Sequence, residues 1–373
     1  MNTRFEPVLK FGESVERVAF DISNVLVRTV VRGSASTIDT VTDSSELLII
    51  NLEKEAAFYI SDGEVSQAGP LNPGEEIGKQ VARKVALDLD GRCFAEVTNA
   101  LYNFDTGDLT TGASNGTPIT LSATTVPQLS TRMSAKLSNK NNIDTATNMV
   151  LVTDAYAGSD INQYLLGKNI DLAGYVFKNG YAGPIGGAEL YISENLSGEA
   201  VLSIATTPTD GDTVTINGVV FTFKTTLGST AGNVLIGGSA DAARLNLSEL
   251  INAPGTTDAG QVALSAADQI LMANLVATDN ASANTLTLVG TGSGRLTVSE
   301  TLTDGTDAWT KNFLHCYYGK KGAIDLVIQD IKPVDMRQTT DRRGTNVFSS
   351  YLAGIKTFAD GAKKFLDVLI LVA

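Results

Sequence analysis

The chain has 373 residues, of which 43% are hydrophobic and 18% charged, so it can bury a substantial core and does not have the composition of a disordered protein. Its formal net charge of -13, from 28 basic and 41 acidic side chains, argues against a protein devoted to nucleic-acid binding. One histidine and two cysteines, Cys93 and Cys316, are too few for a zinc site of Cys and His ligands, and we expect both thiols to be buried and reduced.

The N-terminal stretch MNTRFEPVLKFGESVERV lacks the apolar run of a signal peptide. No stretch approaches the roughly 18 apolar residues that a membrane span requires. The closing segment FLDVLILVA is apolar but short, which predicts a buried strand. We therefore expect a cytoplasmic protein with no membrane partner.

The first 60 residues alternate between apolar and polar positions in the manner of β-strands. The pattern predicts a protruding hairpin, with a first arm over 15–31, a polar tip over 32–45 and a second arm over 46–61. Because an isolated hairpin is only marginally stable, we expect a neighbouring subunit to complete it.

A long helix is predicted next. Asn72 suits the N-cap and Pro73 the first helical position, and no proline follows before about residue 102. Such a helix would be on the order of 45 Å long. Gly91 within it predicts a bend or a close contact, because glycine is costly inside a helix.

The composition shifts near residue 199. Residues 200–310 carry ten acidic and three basic side chains and are rich in Thr, Gly, Ala, Asp and Asn. Within them 212–224 predicts a hairpin with Asn217 and Gly218 at its turn, and 240–251 predicts an amphipathic helix. The segment is therefore interpreted as a small, acidic, β-rich inserted domain.

On both sides of this segment the earlier pattern continues. Residues 126–137 predict a helix and 148–153 a buried strand. Residues 320–330 predict a second helix, because the apolar residues at 324, 327 and 328 share one helical face. Extended segments then run to the C-terminus.

The order of these elements resembles the major capsid proteins of tailed bacteriophages with the Hong-Kong-97-type fold. The segment FYISDGEVSQAGPLNPGEEIGKQVARKVALDLDG is similar to the strand and spine helix of that family's P domain. GPIGGAELYISENL is similar to its glycine turn and following strand, and FLHCYYGKKGAIDLVIQDIKPVD with FSSYLAGIKTF to its A-domain helix and closing strands. The inserted segment resembles insertion or decoration domains of some capsid proteins.

The resemblance implies an α+β fold with an extended hairpin (the E-loop), a P domain, an A domain and the insertion. The implied boundaries are 1–60 for arm and E-loop, 61–110 for the P domain, 111–198 for the first part of the A domain, 199–311 for the insertion and 312–373 for the return segment. A scaffolding protein, where one is used, would be separate, because only about 15 residues precede the first strand.

The resemblance also implies a structural protein that assembles into pentamers and hexamers of an icosahedral head enclosing double-stranded DNA. Assembly in the bacterial cytoplasm, contact with scaffolding, portal and decoration proteins, and non-specific contact with DNA follow from it. The alternatives are a tail-tube or baseplate component, which the long helix disfavours, and a surface adhesin, which the missing signal peptide disfavours.

No group of residues predicts catalysis, a cofactor or a metal. Asp88 and Asp90 are spaced so that they point apart on a helix, and neither 210–212 nor 304–307 matches a calcium loop. The glycines in 290–294 predict a turn, because no βαβ pattern surrounds them. Four charged residues are instead candidates for contacts between subunits: Arg28 and Arg32 in the hairpin, Glu75 and Glu76 in the helix.

Overall fold

The computed structural model describes residues 14–21, 25–29, 32–33, 35, 38–67, 73–141, 143, 145, 148–166, 181–185, 187–338 and 343–372. The chain forms two compact units, Met1–Ala86 with Gly322–Ala362 and Leu87–Lys321 with Lys363–Ala373. No helix in the described part is both long enough and apolar enough to cross a bilayer.

Helices and strands are mixed along the described ranges. The helices are α1 (Asp62–Gln67), α2 (Pro73–Ala95), α3 (Thr106–Thr110), α4 (Thr125–Asn141), α5 (Ala155–Leu166), α6 (Ala240–Asn252), α7 (Ala266–Leu271) and α8 (Ala359–Ala362). The strands are β1 (Ser14–Asp21), β2 (Thr42–Ile49), β3 (Leu52–Ser61), β4 (Asn103–Phe104), β5 (Met149–Thr153), β6 (Tyr181–Ile185), β7 (Ala188–Ile192), β8 (Ser197–Ser203), β9 (Thr213–Ile216), β10 (Val219–Lys224), β11 (Asn233–Leu235), β12 (Leu275–Asn280), β13 (Thr285–Gly290), β14 (Val298–Glu300), β15 (Ala308–Lys320), β16 (Asp325–Gln338), β17 (Gly344–Lys356) and β18 (Phe365–Leu371).

The first unit is built from a hairpin and a three-stranded sheet. Strands β1 and β2 pair antiparallel with Ser14 opposite Ile49, which confirms a hairpin at the start of the chain. Strand β17 lies between β16 and β3, antiparallel to both. A small apolar cluster that includes Leu48, Val327 and Phe358 packs the base of the hairpin.

Two predictions for this unit are wrong. Residues 320–330 contain no helix: strand β16 begins at Asp325 and forms a long ladder with β17. The spacing of apolar residues fits a helical face equally well, but Val and Ile are β-branched and favour strands once a partner ladder is available. The first hairpin arm is also shorter than predicted, because β1 ends at Asp21 and residues 25–29 belong to no strand.

The long helix is confirmed as α2, which begins at Pro73. It is shorter than predicted, because it ends at Ala95 and is followed by a 3-10 turn at Glu96–Asn99, so its length is about 35 Å. The predicted N-cap, Asn72, lies outside the described residues. The side chains at every fourth position from 85 to 97 are buried, namely Val85, Leu89, Cys93 and Val97. Burial along this stripe is what fixes the helix, since its interior also contains a glycine.

Strand β15 organises the second unit. One edge of β15 pairs first with β8 and then with β5, and its other edge pairs with β18. These strands belong to a nine-stranded sheet that runs from β12 to β6. The predicted helix at 126–137 is α4, and the predicted buried strands at 148–153 and at the C-terminal end are β5 and β18.

The segment 199–311 has its own apolar core but shares that sheet. Its core includes Leu202, Phe221, Phe223 and Leu247, whereas β5, α4 and β18 contribute to another cluster. The predicted hairpin is formed by β9 and β10, and its turn residues Asn217 and Gly218 have φ values of 49° and 83°, as a type I′ turn requires. Both expected boundaries fall inside strands, β8 and β15, so the segment continues the sheet of its host.

The outer edge of this sheet, strand β12, is covered by α6. The side-chain amide of Asn252 accepts a hydrogen bond from the Ala277 N–H (2.9 Å) and donates one to the Ala277 carbonyl (2.8 Å). Ser248 also donates to that carbonyl (3.2 Å). One helix side chain thus satisfies both backbone groups that a further strand would use at this residue.

Candidate functional site

The hairpin exposes an unusual amount of apolar surface. Its exposed apolar side chains, here called the hairpin patch, are Val18, Val25, Leu26, Val27, Ile38, Val41, Leu47 and Ile49. A two-stranded ribbon has no second layer to cover such residues. Exposed apolar side chains concentrated in one element in this way are typical of an interaction site.

The hairpin patch is shaped by an ion pair between Arg28 and Asp39. The two guanidinium nitrogens of Arg28 donate to the two carboxylate oxygens of Asp39, each at 2.6 Å. The Leu26 N–H donates to the same carboxylate at 2.9 Å. The hydrogen bonds from Arg28, and then that from Leu26, lower the pKa of Asp39. Forked pairing of this kind holds the two sides of the tip in one geometry.

The structure places the four predicted contact residues separately. Arg28 is paired with Asp39 of its own chain, and Glu76 accepts a hydrogen bond from Lys79 at 3.2 Å. Arg32 lies exposed in a turn near the hairpin tip. The side chain of Glu75 lies outside the described residues.

The base of the hairpin is anchored through Arg17. Its guanidinium lies 2.5 Å from Asp360 and 3.5 Å from the buried Asp325, and it stacks over the Phe358 ring at 5.1 Å. Lys356 donates to the Leu47 carbonyl at 2.8 Å. The base is therefore fixed to its own unit, whereas the tip residues of the patch, Val25, Leu26, Val27, Ile38 and Val41, have no such anchor among their described contacts.

The second unit contains a buried histidine, His315, for which the sequence predicted no structural role. His315 on β15 makes hydrogen bonds with Asp367 through Nδ1 (2.8 Å) and with Glu199 through Nε2 (3.2 Å). Burial alone disfavours the imidazolium, but the bonds to Asp367 and Glu199 outweigh it and raise the pKa of His315 to about 9. The three residues join β15, β18 and β8, so the charged imidazole is a structural tie.

Other buried charges of this unit are also paired. Arg295 is bonded to the fully buried Asp154. Arg244, also fully buried, donates to Asp279 at 2.7 Å and to the Ile204 carbonyl at 2.7 Å. Because a buried charge is tolerated when it is paired and hydrogen-bonded, these groups are accounted for by folding.

The acidic loops are occupied by the protein's own donors. Asp212 accepts from the Thr209 N–H (2.8 Å), and Asp307 accepts from the Ala205 N–H (2.7 Å). The described ranges contain no group of three or more His, Cys, Asp or Glu side chains that could hold a metal. Both cysteines are buried and free, as predicted, and burial raises the pKa of Cys93 to about 12.

Neither a family model nor a curated protein matches the sequence. A chain in a solved structure of Mycobacterium phage Che8 is similar over 99% of this chain and 88% of its own length, with 14% identity and a TM-score of 0.50. A chain in a capsid structure of the cyanophage P-SCSP1u is similar over 97% of this chain and 84% of its own length, with 10% identity and a TM-score of 0.49. A chain of the mature capsid of bacteriophage PhiM1 is similar over 96% of this chain and 82% of its own length, with 10% identity and a TM-score of 0.46.

The likeness to the Che8 chain extends over nearly the whole of this chain, so the two share a fold. The predicted α+β architecture, the Hong-Kong-97-type capsid fold, is confirmed.

Proposed function

We propose that this chain is the major capsid subunit of a tailed bacteriophage, many copies of which assemble into an icosahedral head around double-stranded DNA. The observation that carries the proposal is the shared fold with the Che8 phage chain, which leaves only 1% of this chain unmatched. The exposed hairpin patch supports it, because a subunit that remained alone would gain nothing from such a surface.

Assembly would use the hairpin as an arm. The hairpin patch of one subunit lies on the α2 helix of the next, and the burial of its apolar side chains supplies the free energy of the contact. The Arg28–Asp39 pair keeps the tip in shape, and Arg32 meets Glu75 and Glu76 of the neighbour. Repetition of this contact around five-fold and six-fold axes sums many modest interaction free energies, which together stabilise the shell.

A structural role without catalysis is supported by the way the buried charges are used. His315, Arg244 and Arg295 each have carboxylate partners inside their own unit. Buried groups paired in this manner serve stability.

The location and the partners follow from the same proposal. The chain would be a component of the virion, assembled in the cytoplasm of the bacterial host. Scaffolding, portal and decoration proteins would be its protein partners, and packaged DNA would meet the shell through backbone charge without sequence preference.

Negative-stain electron microscopy of the purified chain, alone and with a co-expressed scaffolding partner, tests the proposal. We expect closed shells, or pentamers and hexamers. Stacked rings or tubes would overturn the proposal in favour of a tail component. Monomers under every condition would contradict assembly altogether.

A further inference from the structure

Helix α4 of the second unit carries three basic residues at intervals of four. Arg132, Lys136 and Lys140 therefore lie along one stripe, one turn apart. Like charges at this spacing destabilise a helix by a few tenths of a kcal/mol per pair. In a chain with a net charge of -13, such a stripe needs a reason beyond helix formation.

The stripe lines a pocket of about 320 Å³. Its charged lining consists of the three cations and one carboxylate, Asp108, so the pocket carries an excess of two positive charges. The amide of Asn139 adds a neutral donor. Concave, cationic and donor-rich surfaces of this kind focus a positive potential on an anionic ligand.

The three cations have different partners. Lys136 is engaged by its own unit, since its ammonium contacts Asp108 (2.7 Å), Ser114 Oγ (2.7 Å) and the Asn103 carbonyl (2.5 Å). These three bonds use all of its donors. Lys136 therefore serves to hold the segment 103–114, which contains β4 and α3, against α4.

Arg132 and Lys140 have only uncharged partners among their described contacts. Arg132 donates to the Asp108 backbone carbonyl at 3.0 Å, and the ammonium of Lys140 lies 5.9 Å from the centre of the Tyr102 ring. Both side chains are exposed. Their described contacts leave their charges without a carboxylate partner, which is the state expected of a site that binds an anion.

We propose that Arg132 and Lys140, with the Asn139 amide of the same pocket, bind phosphate groups of double-stranded DNA. The choice of DNA rests on the proposed function, whereas the preference for phosphate rests on the pocket itself. Guanidinium and ammonium groups fit phosphate oxygens, and they read no base sequence. An acidic chain repels a polyanion elsewhere, so these two residues carry much of the contact.

The test is fluorescence anisotropy of a labelled 20-base-pair duplex, titrated with the full chain over a series of salt concentrations. We expect Arg132→Gln with Lys140→Gln to lower the affinity and to make the slope of log K against log salt shallower by about 2. The conservative pair Arg132→Lys with Lys140→Arg should retain the slope. Lys54→Gln with Lys332→Gln removes the same charge from the other unit and should also retain it.

An unchanged slope in the Arg132→Gln, Lys140→Gln variant overturns the proposal. Binding of pyrophosphate by the wild-type chain without binding of the duplex overturns the assignment to DNA. Electron microscopy of the same variants separates this proposal from the assembly proposal, because loss of duplex binding with intact shells supports the pocket. Duplex binding that depends on Arg132 and Lys140 in a chain that never assembles would support the pocket and overturn the capsid assignment.

Discussion

Gly91 of helix α2 lies directly against Gly292, so closely that a Cβ atom on Gly91 would stand 2.7 Å from the Gly292 Cα atom. Gly292 has a φ of 62°, a conformation that favours glycine. Beside this contact the Asn195 amide donates to the Asp90 carboxylate at 2.8 Å. The close contact predicted from a glycine inside a helix is therefore present, and it joins the end of α2 to a turn of the 199–311 segment.

Gly91→Ala should destabilise the protein by about 1–3 kcal/mol, because the added methyl group meets backbone that cannot move aside. Alanine favours an isolated helix by up to about 1 kcal/mol, so helix propensity alone predicts the opposite sign. Thermal unfolding measures the difference. Gly305→Ala is the control, since a Cβ atom there meets nothing within 4 Å. A melting temperature of Gly91→Ala equal to or above that of the wild type would show that the backbone at Gly292 moves to accommodate the methyl group.

The stability should depend on the protonation of His315. Its pKa of about 9 in the folded chain exceeds the ordinary value of about 6.5, so the charged imidazole stabilises the fold below pH ~6.5. This contribution, on the order of 3 kcal/mol, should be lost as the pH rises through about 9. Melting temperatures between pH 6 and pH 10 should therefore fall more steeply for the wild-type chain than for His315→Gln.

The titration can also be observed directly. The chain has a single histidine, so its imidazole resonances need no assignment among several. An NMR titration should give a midpoint well above 7. A midpoint below 7 would contradict the structural tie formed by Asp367 and Glu199.

The inserted segment should be removable if the cut is placed at the right ladder position. Ser203 at the end of β8 lies opposite Ala308 at the start of β15, so a two-residue Asn-Gly turn can replace residues 204–307. This cut keeps β8, which a deletion of 200–310 would destroy. We expect the shortened chain to fold, as judged by circular dichroism and a cooperative melt. Failure to fold would contradict an independent inserted domain.

The same excision removes Arg295 and leaves the buried Asp154 without its cation. Asp154→Asn should therefore stabilise the shortened chain. In the full chain the same substitution should lower the free energy of unfolding by a few kcal/mol, because it breaks the pair with Arg295. Asn can still accept the hydrogen bond that the Ala157 N–H donates to Asp154 at 3.0 Å. A change in stability of the same sign in both chains would mean that the ion pair with Arg295 does not stabilise the buried Asp154 carboxylate.

Charge exchange should test the contact between subunits. Arg32→Glu should reduce severalfold the fraction of protein that sediments as shells, because it places like charges opposite each other at the neighbour's α2. Adding Glu76→Lys should restore assembly. Lys54→Glu, an equal charge change on β3, is the control. A double variant that assembles no better than Arg32→Glu would show that Arg32 and Glu76 do not meet.

The sequence predicted the elements that local physics determines. Helix α2 follows from the proline start and a proline-free run, and the β9–β10 hairpin follows from Asn217 and Gly218, which adopt the positive φ angles that its turn needs. Strand β16 was mistaken for a helix because its apolar spacing is ambiguous and because the ladder partners of residues 325–330 lie 22 to 31 residues farther on.

The candidate sites were less predictable. His315 meets Glu199 and Asp367, which lie 116 and 52 residues away along the chain, so no local pattern could join them. Arg28 was predicted in the first hairpin arm but lies beyond the end of β1, and its partner Asp39 was not foreseen because no local pattern pairs residues 11 apart across an irregular tip. The basic stripe on α4 could have been found from its four-residue spacing alone.

The amide of Asn252 has a consequence for how copies of this chain can meet. A sheet of nine strands with an open end offers its backbone to any identical sheet, and pairing of that kind has no natural stopping point. The Ala277 N–H is bonded to Asn252 and its carbonyl to Asn252 and Ser248, so addition of a strand at that residue would break three hydrogen bonds before making any. The β12 edge therefore resists fibril growth by strand addition at high local concentration. Contacts between copies must then be made by side chains, which can be specific for one neighbour.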